Sequence, residues 1–187
     1  PGEIEACNDV KNRRHGLLLP EDTMADLAKA VAENKPLTFA SAGTGTPGHF
    51  AGEFLKLKTK GNLTHVPYKG AAPAITELVG GHVQVMFNPM PPLLPHVKSG
   101  RLRAIAVGSK QRTAALPEIP TVAETVPGYD VPHWYAIWGP KGVPRDIVAL
   151  WNREVGKILQ SDEMQKQMRS EALEPVGGPP ENFRNVL

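Results

Sequence analysis

The chain has 187 residues, of which 41% are hydrophobic and 21% charged, a composition typical of a globular protein with one large domain or two small lobes. Lysine and arginine number 21 against 19 acidic residues, and no window gathers a basic stripe, which argues against nucleic acid as a partner. The single cysteine, Cys7, cannot form an internal disulfide or a structural zinc site. The apolar stretches are far shorter than the roughly 18 to 20 residues of a membrane-spanning helix.

The first elements in chain order are a polar leader and a helix. Residues 1–16 show no hydrophobic periodicity, so we predict that they lie outside the core. After Pro20, apolar residues recur at steps of three and four as far as Val31, which predicts a first helix.

Short β-prone runs alternate with helical stripes over the middle of the chain. The first helix between strands is predicted to open at Pro47, and the second to run from Pro73 to Gly80. A third, interrupted by proline, is predicted to end at Gly100. Strands that alternate with such helices form a parallel sheet with right-handed crossovers, so this region is predicted to be an α/β lobe. The predicted strands are residues 37–41, 62–68, 82–88 and 102–107.

Two apolar stripes in this region predict which side chains are buried together. Phe50, Phe54 and Leu57 follow one another at i, i+4 and i+7 in the first of these helices, which predicts one shared face. The third strand is predicted to direct alternate residues to one face, namely Val83, Val85 and Phe87.

The C-terminal third has a different pattern. Residues 108–132 carry four prolines and little periodicity, as a surface excursion or a crossing between lobes would. An apolar run at 133–139 predicts one more strand. Helices are predicted from Pro144, over residues 162–171 and over residues 180–187. Their apolar stripes are predicted to be core: Ile147, Trp151, Val155, Ile158, Met164 and Met168.

The most informative segment joins the first predicted strand to a helix through a turn rich in glycine and threonine. Gly43 and Gly45 allow a ligand to approach the backbone closely, while Ser41, Thr44 and Thr46 supply hydroxyl groups. The first turn of the following helix has free N–H groups and the positive end of the helix dipole. We therefore predict an anion site here, the alternative being that Thr46 only caps the helix and the glycines only form the turn.

Gly43, Gly45 and Gly48 also satisfy the G-x-G-x-x-G pattern of dinucleotide-binding enzymes. That motif requires an acidic residue about 20 positions later, where this chain has Tyr68 and Lys69 instead. Lys69 is suited to a 2′-phosphate, so an NADP-dependent oxidoreductase is the alternative function.

Two further segments end at the same predicted sheet edge. The loop after the second strand contains Tyr68, Gly70 and Ala71, which we expect to face the same ligand. Asn88 ends the third strand, where its amide either donates to a ligand or only forms a turn. Known catalytic motifs are absent, and the spacing of the six histidines singles out no metal site.

Four segments together closely resemble the Bug family, the extracytoplasmic solute receptors of tripartite tricarboxylate transporters. They are SAGTGTPGHFAGEFLK, HVPYKGAAPAITELVGGHVQVMF, KSGRLRAIAVGSKQRTAALPEIPTVAE and GPKGVP, and the similarity extends in unbroken order from about Leu17 to Leu187. The resemblance implies an α/β fold of the type II periplasmic-binding-protein kind, in which two lobes close on a small carboxylate without chemistry or a cofactor. It also implies a periplasmic location and membrane transporter subunits as partners.

The resemblance further implies how the chain is organised. Family members begin with a strand, a glycine-rich ligand loop and further βα units that have no counterpart in this sequence. We therefore expect residues 17–110 to form a nearly complete second lobe that binds the ligand, and residues 111–187 to supply a crossover and part of the first lobe. Apolar residues such as Trp134 and Ile137 would then be exposed and favour self-association. A regulator's effector-sensing lobe is a third reading, but it needs a helix-turn-helix segment that this sequence lacks.

Overall fold

The computed structural model describes Val31, residues 33–114 and residues 116–185, with side chains described as far as Asn182. The predicted leader, Cys7 and most of the predicted first helix lie outside the described residues. The chain divides into two compact units, one that ends at His133 and one that begins at Trp134.

The first unit contains a three-stranded parallel sheet. Its strands are β1 (Leu37–Ser41), β2 (Leu63–Pro67) and β3 (Val85–Met86), in the order β2-β1-β3. In the register of the sheet, Phe39 of β1 lies opposite both His65 of β2 and Val85 of β3. The predicted parallel α/β arrangement is confirmed, and the carboxyl end of β1 lies between those of its two neighbours.

Three helices connect or follow these strands, as the sequence predicts. Helix α1 spans Pro47–Thr59, α2 spans Ala71–Val79 and α3 spans Met90–Lys98. Helix α2 begins two residues earlier than predicted because Gly70, at a φ of 111°, already provides the turn into the helix.

The buried face of α1 differs from the predicted one. Phe50 and Leu57 are 61% and 73% exposed, whereas Ala51, Gly52 and Leu55 are buried. A Cβ atom on Gly52 would lie 2.1 Å from Cε2 of Phe39 on β1. The helix therefore packs its small residues against the sheet, because the phenyl ring of Phe39 already fills the space between them.

The core of this unit forms two clusters on opposite sides of β1. Phe39 belongs to the first cluster and its neighbour Ala40 to the second, as the alternation of a strand requires. Val85 joins Phe39 whereas Val83 joins Ala40, so the prediction of one shared face for Val83 and Val85 is wrong. The regular strand begins only at Val85, and the two-residue period does not apply before it.

The predicted fourth strand at 102–107 is absent. Val107 forms only an isolated parallel bridge to Thr121, in which the N–H of Val107 donates to the carbonyl of Pro120. Proline has no N–H to donate, so this partner segment cannot extend the ladder of hydrogen bonds. Ile105 and Ala106 still pack against the first cluster from an irregular chain.

The segment 108–132 is not only a surface excursion. Val122 and Tyr129 are buried in the first cluster, and the hydroxyl of Tyr129 donates to the carbonyl of Ala51 on α1 at 3.0 Å. Burial raises the pKa of Tyr129 to about 12. The segment therefore contributes a buried aromatic side chain to the core, which its lack of hydrophobic periodicity did not predict.

A capping box orders the chain next to Val122. Thr121 and Glu124 exchange side-chain to backbone hydrogen bonds around the short 3-10 turn Val122–Glu124. Arg112 donates to both carboxylate oxygens of Glu124, at 2.8 and 2.6 Å, and this hydrogen bonding holds the pKa of Glu124 at about 2.

The second unit contains α4 (Arg145–Gln160), α5 (Asp162–Ser170) and a 3-10 segment, Pro180–Asn185. The helices were predicted, but their apolar stripes are not core: neither helix contains a buried residue, and Trp151 is 59% exposed. A helix buries its apolar stripe only where another element packs against it, and periodicity alone does not show that such an element is present. The predicted helix at 180–187 is a 3-10 segment as far as Asn185, and its last two residues lie outside the described part.

The predicted strand at 133–139 is also absent. These residues have no regular secondary structure, and Ile137 is 72% exposed. An apolar run forms a strand only where its backbone joins the hydrogen-bond ladder of a sheet. Within residues 33–114 and 116–185, no helix has both the length and the hydrophobicity needed to cross a membrane.

Candidate functional site

Backbone hydrogen bonds join the loops that follow β1 and β2. The N–H of Tyr68 donates to the carbonyl of Ser41 at 3.1 Å, and the N–H of Gly70 donates to the carbonyl of Ala42 at 3.0 Å. A Cβ atom on Gly43 would lie 3.2 Å from the carbonyl oxygen of Tyr68. The two loops therefore form one continuous surface at the carboxyl edge of the sheet.

The first turn of α1 brings the end of β3 to the same place. Gly48 lies so close to the residue that follows β3 that a Cβ atom on this glycine would lie 2.1 Å from the carbonyl oxygen of Phe87. Phe87 immediately precedes Asn88, whose side-chain amide donates to the carbonyl of Pro89 at 3.2 Å. All of the predicted site residues thus belong to segments that meet at one edge: Ser41, Gly43, Thr44, Gly45, Thr46, Tyr68, Gly70, Ala71 and Asn88.

The glycine loop, residues 42–46 between β1 and α1, has the backbone shape that its composition predicts. Gly43 and Gly45 have φ angles of 137° and 82°, a region that favours glycine. The hydroxyl of Thr46 donates to the carbonyl of Gly43 at 2.6 Å and does not cap the helix. Thr44 and Gly45 are exposed, and a Cβ atom on Gly45 would meet nothing within 4 Å. The tip of the loop is therefore open to a ligand.

Ser41 uses its hydroxyl within the protein. The side chain is fully buried, and its Oγ contacts the carbonyl of Gly43 at 3.0 Å, the N–H of Gly43 at 3.1 Å and Nε2 of His65 at 2.7 Å. The distance to His65 is that of a serine nucleophile and its base. Because Ser41 has no exposed surface, a substrate cannot reach this hydroxyl in the structure.

Two histidines beside the loop were not predicted as site residues. The ring of His65 stacks on Phe39 with centroids 4.9 Å apart, and the ring of His49 stacks on His65 at 4.2 Å. Burial and then the neighbouring His49 lower the pKa of His65, while Glu53 acts in the opposite direction. The sequence carried one usable signal, which is that His49 follows Gly45 by four residues, in the first turn of the predicted helix.

The arrangement is suited to an anion. Helices α1 and α2 both begin at this edge, at Pro47 and Ala71. First-turn N–H groups have no partner within their own helix, and the helix dipole places positive charge there. Among the described residues, no group of three histidine, cysteine or acidic side chains is placed to hold a metal ion. Charge-assisted hydrogen bonds from N–H groups are one means of binding that this edge offers.

Residues 15–185 match the family described as the tripartite tricarboxylate transporter family receptor, TctC. The chain belongs to this family. The TctC match includes the glycine loop, both helix N-termini and Asn88, together with nearly all of the second unit. It does not support the alternative of an NADP-dependent oxidoreductase.

Curated relatives of this TctC chain extend beyond it. A UPF0065 protein in the tcbD-tcbE intergenic region of Pseudomonas sp. strain P51 is 36% identical over 178 residues, which cover 91% of this chain and 53% of the relative. Protein BugT of Bordetella pertussis is 33% identical over 162 residues, covering 86% of this chain and 50% of BugT. The chain thus spans about half the length of these two relatives.

Solved structures of TctC relatives share the fold. The R. palustris protein Rpa4515, solved with adipate, is 33% identical and superposes with a TM-score of 0.81, covering 90% of this chain and 57% of that protein. The periplasmic binding protein BugD is 30% identical, with a TM-score of 0.78 and the same two coverages. MatC of Rhodopseudomonas palustris, solved with malate, is 28% identical with a TM-score of 0.72, covering 87% and 55%. The predicted periplasmic-binding-protein-like fold is confirmed.

Proposed function

We propose that this chain is the ligand-binding part of a periplasmic receptor that captures a small carboxylate and presents it to the membrane subunits of a tripartite tricarboxylate transporter. In this proposal residues 17–110 form the ligand-binding lobe, and residues 111–187 supply a crossover and part of the other lobe. The observation that carries the proposal is the meeting of two helix N-termini and an open glycine loop at one sheet edge. Capture requires no reaction, so the chain needs no catalytic residue.

The donors at this edge are of the kind that binds a carboxylate. A carboxylate accepts about four hydrogen bonds, and N–H groups and hydroxyls are suitable donors. The exposed hydroxyl of Thr44 lies on the loop, while the amide of Asn88 follows β3. Adipate and malate, the ligands of two similar structures, are both dicarboxylates, which supports this class of ligand for the present chain.

Carboxylates should raise the melting temperature of the protein. A ligand present at 100 times its dissociation constant stabilises the folded state by about 2.7 kcal/mol, because it binds only that state. We expect at least one member of a panel of mono-, di- and tricarboxylates to produce such a shift in a thermal-denaturation screen. NADP and neutral sugars serve as controls, and stabilisation by NADP alone would favour an oxidoreductase instead.

Replacing Asn88 by alanine should weaken carboxylate binding by roughly 1 to 3 kcal/mol, the cost of leaving a buried polar partner unsatisfied. Asn88 follows β3 beside the first turn of α1, whereas the neighbouring loop carries Lys69 as an exposed side chain. Lys69→Ala is therefore the matched control and should have a smaller effect. Titration calorimetry measures both variants, and equal affinity in Asn88→Ala and the wild type would show that Asn88 only forms a turn.

The protein should also self-associate through its second unit. Trp151 and Ile158 on α4 are 59% and 52% exposed, and Ile137 lies exposed in the preceding segment. Exposed apolar groups of this size promote association. Size-exclusion chromatography with light scattering over a dilution series should detect a species larger than the monomer, and Trp151→Lys should reduce it. Val176→Lys, at another exposed apolar position, is the control, and a monomer at every concentration would contradict the prediction.

A further inference from the structure

We propose that His65 and His49 are positioning residues that hold the glycine loop in its ligand-binding shape. His65 acts through Ser41 at the start of the loop, and His49 acts through Gly45 at its tip. The inference deepens the proposed function, because the loop that the two imidazoles hold is the proposed carboxylate site.

The hydrogen bonds of Ser41 determine which nitrogen of the His65 ring carries a proton. The hydroxyl has one hydrogen to donate, and Gly43 offers both an acceptor, its carbonyl at 3.0 Å, and a donor, its N–H at 3.1 Å. If Ser41 donates to the carbonyl of Gly43, the contact with His65 at 2.7 Å requires Nε2 of His65 to carry a proton and donate to Oγ. This is the arrangement in which all three contacts are satisfied at once.

His49 holds the tip of the loop as a hydrogen-bond acceptor, whereas His65 acts as a donor. The N–H of Gly45 donates to Nδ1 of His49 at 3.2 Å, so this nitrogen must be unprotonated. His49 is on the first turn of α1, whereas Gly45 is exposed and has a φ of 82°. The imidazole therefore ties the most open part of the loop to the helix whose N-terminus faces it.

A column of three stacked rings connects both histidines to the core. Phe39 is fully buried on β1, His65 on β2 stacks on it, and His49 on α1 stacks on His65. The charged or titratable groups that act on His65 are His49 and Glu53, both on α1, while β1 contributes the uncharged Phe39 and Ser41. Packing thus holds the two imidazole rings in place, and their hydrogen bonds to Ser41 and Gly45 hold the loop against them.

Substitutions can separate the stacking from the hydrogen bonds. His65→Phe and His49→Phe keep an aromatic ring in the column and remove the nitrogen, whereas His65→Gln and His49→Gln keep a polar group and remove the ring. We expect each phenylalanine variant to remain folded and to bind its carboxylate roughly tenfold more weakly, as the loss of one hydrogen bond implies. The glutamine variants should recover part of the affinity. His82→Phe, at an exposed histidine after α2, is the matched control and should bind as the wild type does.

A second measurement does not depend on a ligand. Nitrogen NMR of the imidazoles should show a proton on Nε2 of His65 and an unprotonated Nδ1 in His49. Amide hydrogen exchange should become faster at Gly45 in His49→Phe and at Gly43 in His65→Phe, but in neither residue in His82→Phe. Unchanged exchange together with unchanged affinity in both phenylalanine variants would overturn the proposal, as would a proton on Nδ1 of neutral His49. If no carboxylate stabilises the wild type, the proposed function fails, while the exchange and NMR data still decide whether the histidines position the loop.

Discussion

Replacing Tyr129 by alanine should lower the free energy of unfolding by about 3 to 5 kcal/mol, the usual cost of deleting a large buried aromatic side chain. Its ring is 1% exposed, lies 5.4 Å from that of Phe54, and occupies the first core cluster. Truncation removes this packing and also the hydrogen bond from the hydroxyl to Ala51. Chemical denaturation followed by circular dichroism measures the loss.

Two control variants separate the contributions. Tyr129→Phe removes only the hydroxyl and should cost about 1 kcal/mol, the net value of one hydrogen bond. Leu57→Ala removes an exposed apolar side chain from α1 and should change stability by about 0.5 kcal/mol or less. If Tyr129→Ala cost no more than Leu57→Ala, the segment 108–132 would not contribute to the core as described above.

Gly48→Ala should destabilise the protein by about 1 to 3 kcal/mol, the range for inserting an atom into a packed site. The new Cβ would lie 2.1 Å from the carbonyl oxygen of Phe87, and because that atom belongs to the backbone it cannot swing aside. The helix must instead move away from the end of β3, which separates its first turn from Asn88. Denaturation should therefore show a loss of stability, and calorimetry should show weaker carboxylate binding.

Gly156→Ala is the matched control for this substitution. Gly156 is also a helical glycine, on α4, but a Cβ atom there would meet nothing within 4 Å. Alanine in an open helical position should stabilise the protein by about 0.5 to 1 kcal/mol, because it forms helix more readily than glycine. The two glycine substitutions thus have opposite expected signs, and a Gly48→Ala protein as stable as the wild type would contradict the close approach to Phe87.

The candidate site was predictable from the sequence where loops follow strands. The glycine loop, Tyr68 and Asn88 were predicted at one edge because parallel strands place all their carboxyl ends together. The hydrogen bonds that connect these segments to one another were not predictable. Ser41 was expected to donate to a ligand, yet its hydroxyl is engaged by Gly43 and His65, and His65 is 24 residues away in the chain. Hydrogen-bond partners at such a separation follow from strand register, which a single strand's composition does not specify.

Local sequence signals by themselves determined the alternation of strands and helices in this protein. Strand β1 and the starts of α1 and α4 lie where proline, glycine and hydrophobic period predict them, because these signals act within a few residues. The tertiary structure alone decided which apolar residues are buried. Phe50 and Trp151 are exposed whereas Tyr129, in a segment without periodicity, is core, because burial depends on which surfaces meet. For the same reason the apolar runs at 102–107 and 133–139 are not regular strands: whether a run becomes a strand depends on which segments lie alongside it, and sequence period does not specify this.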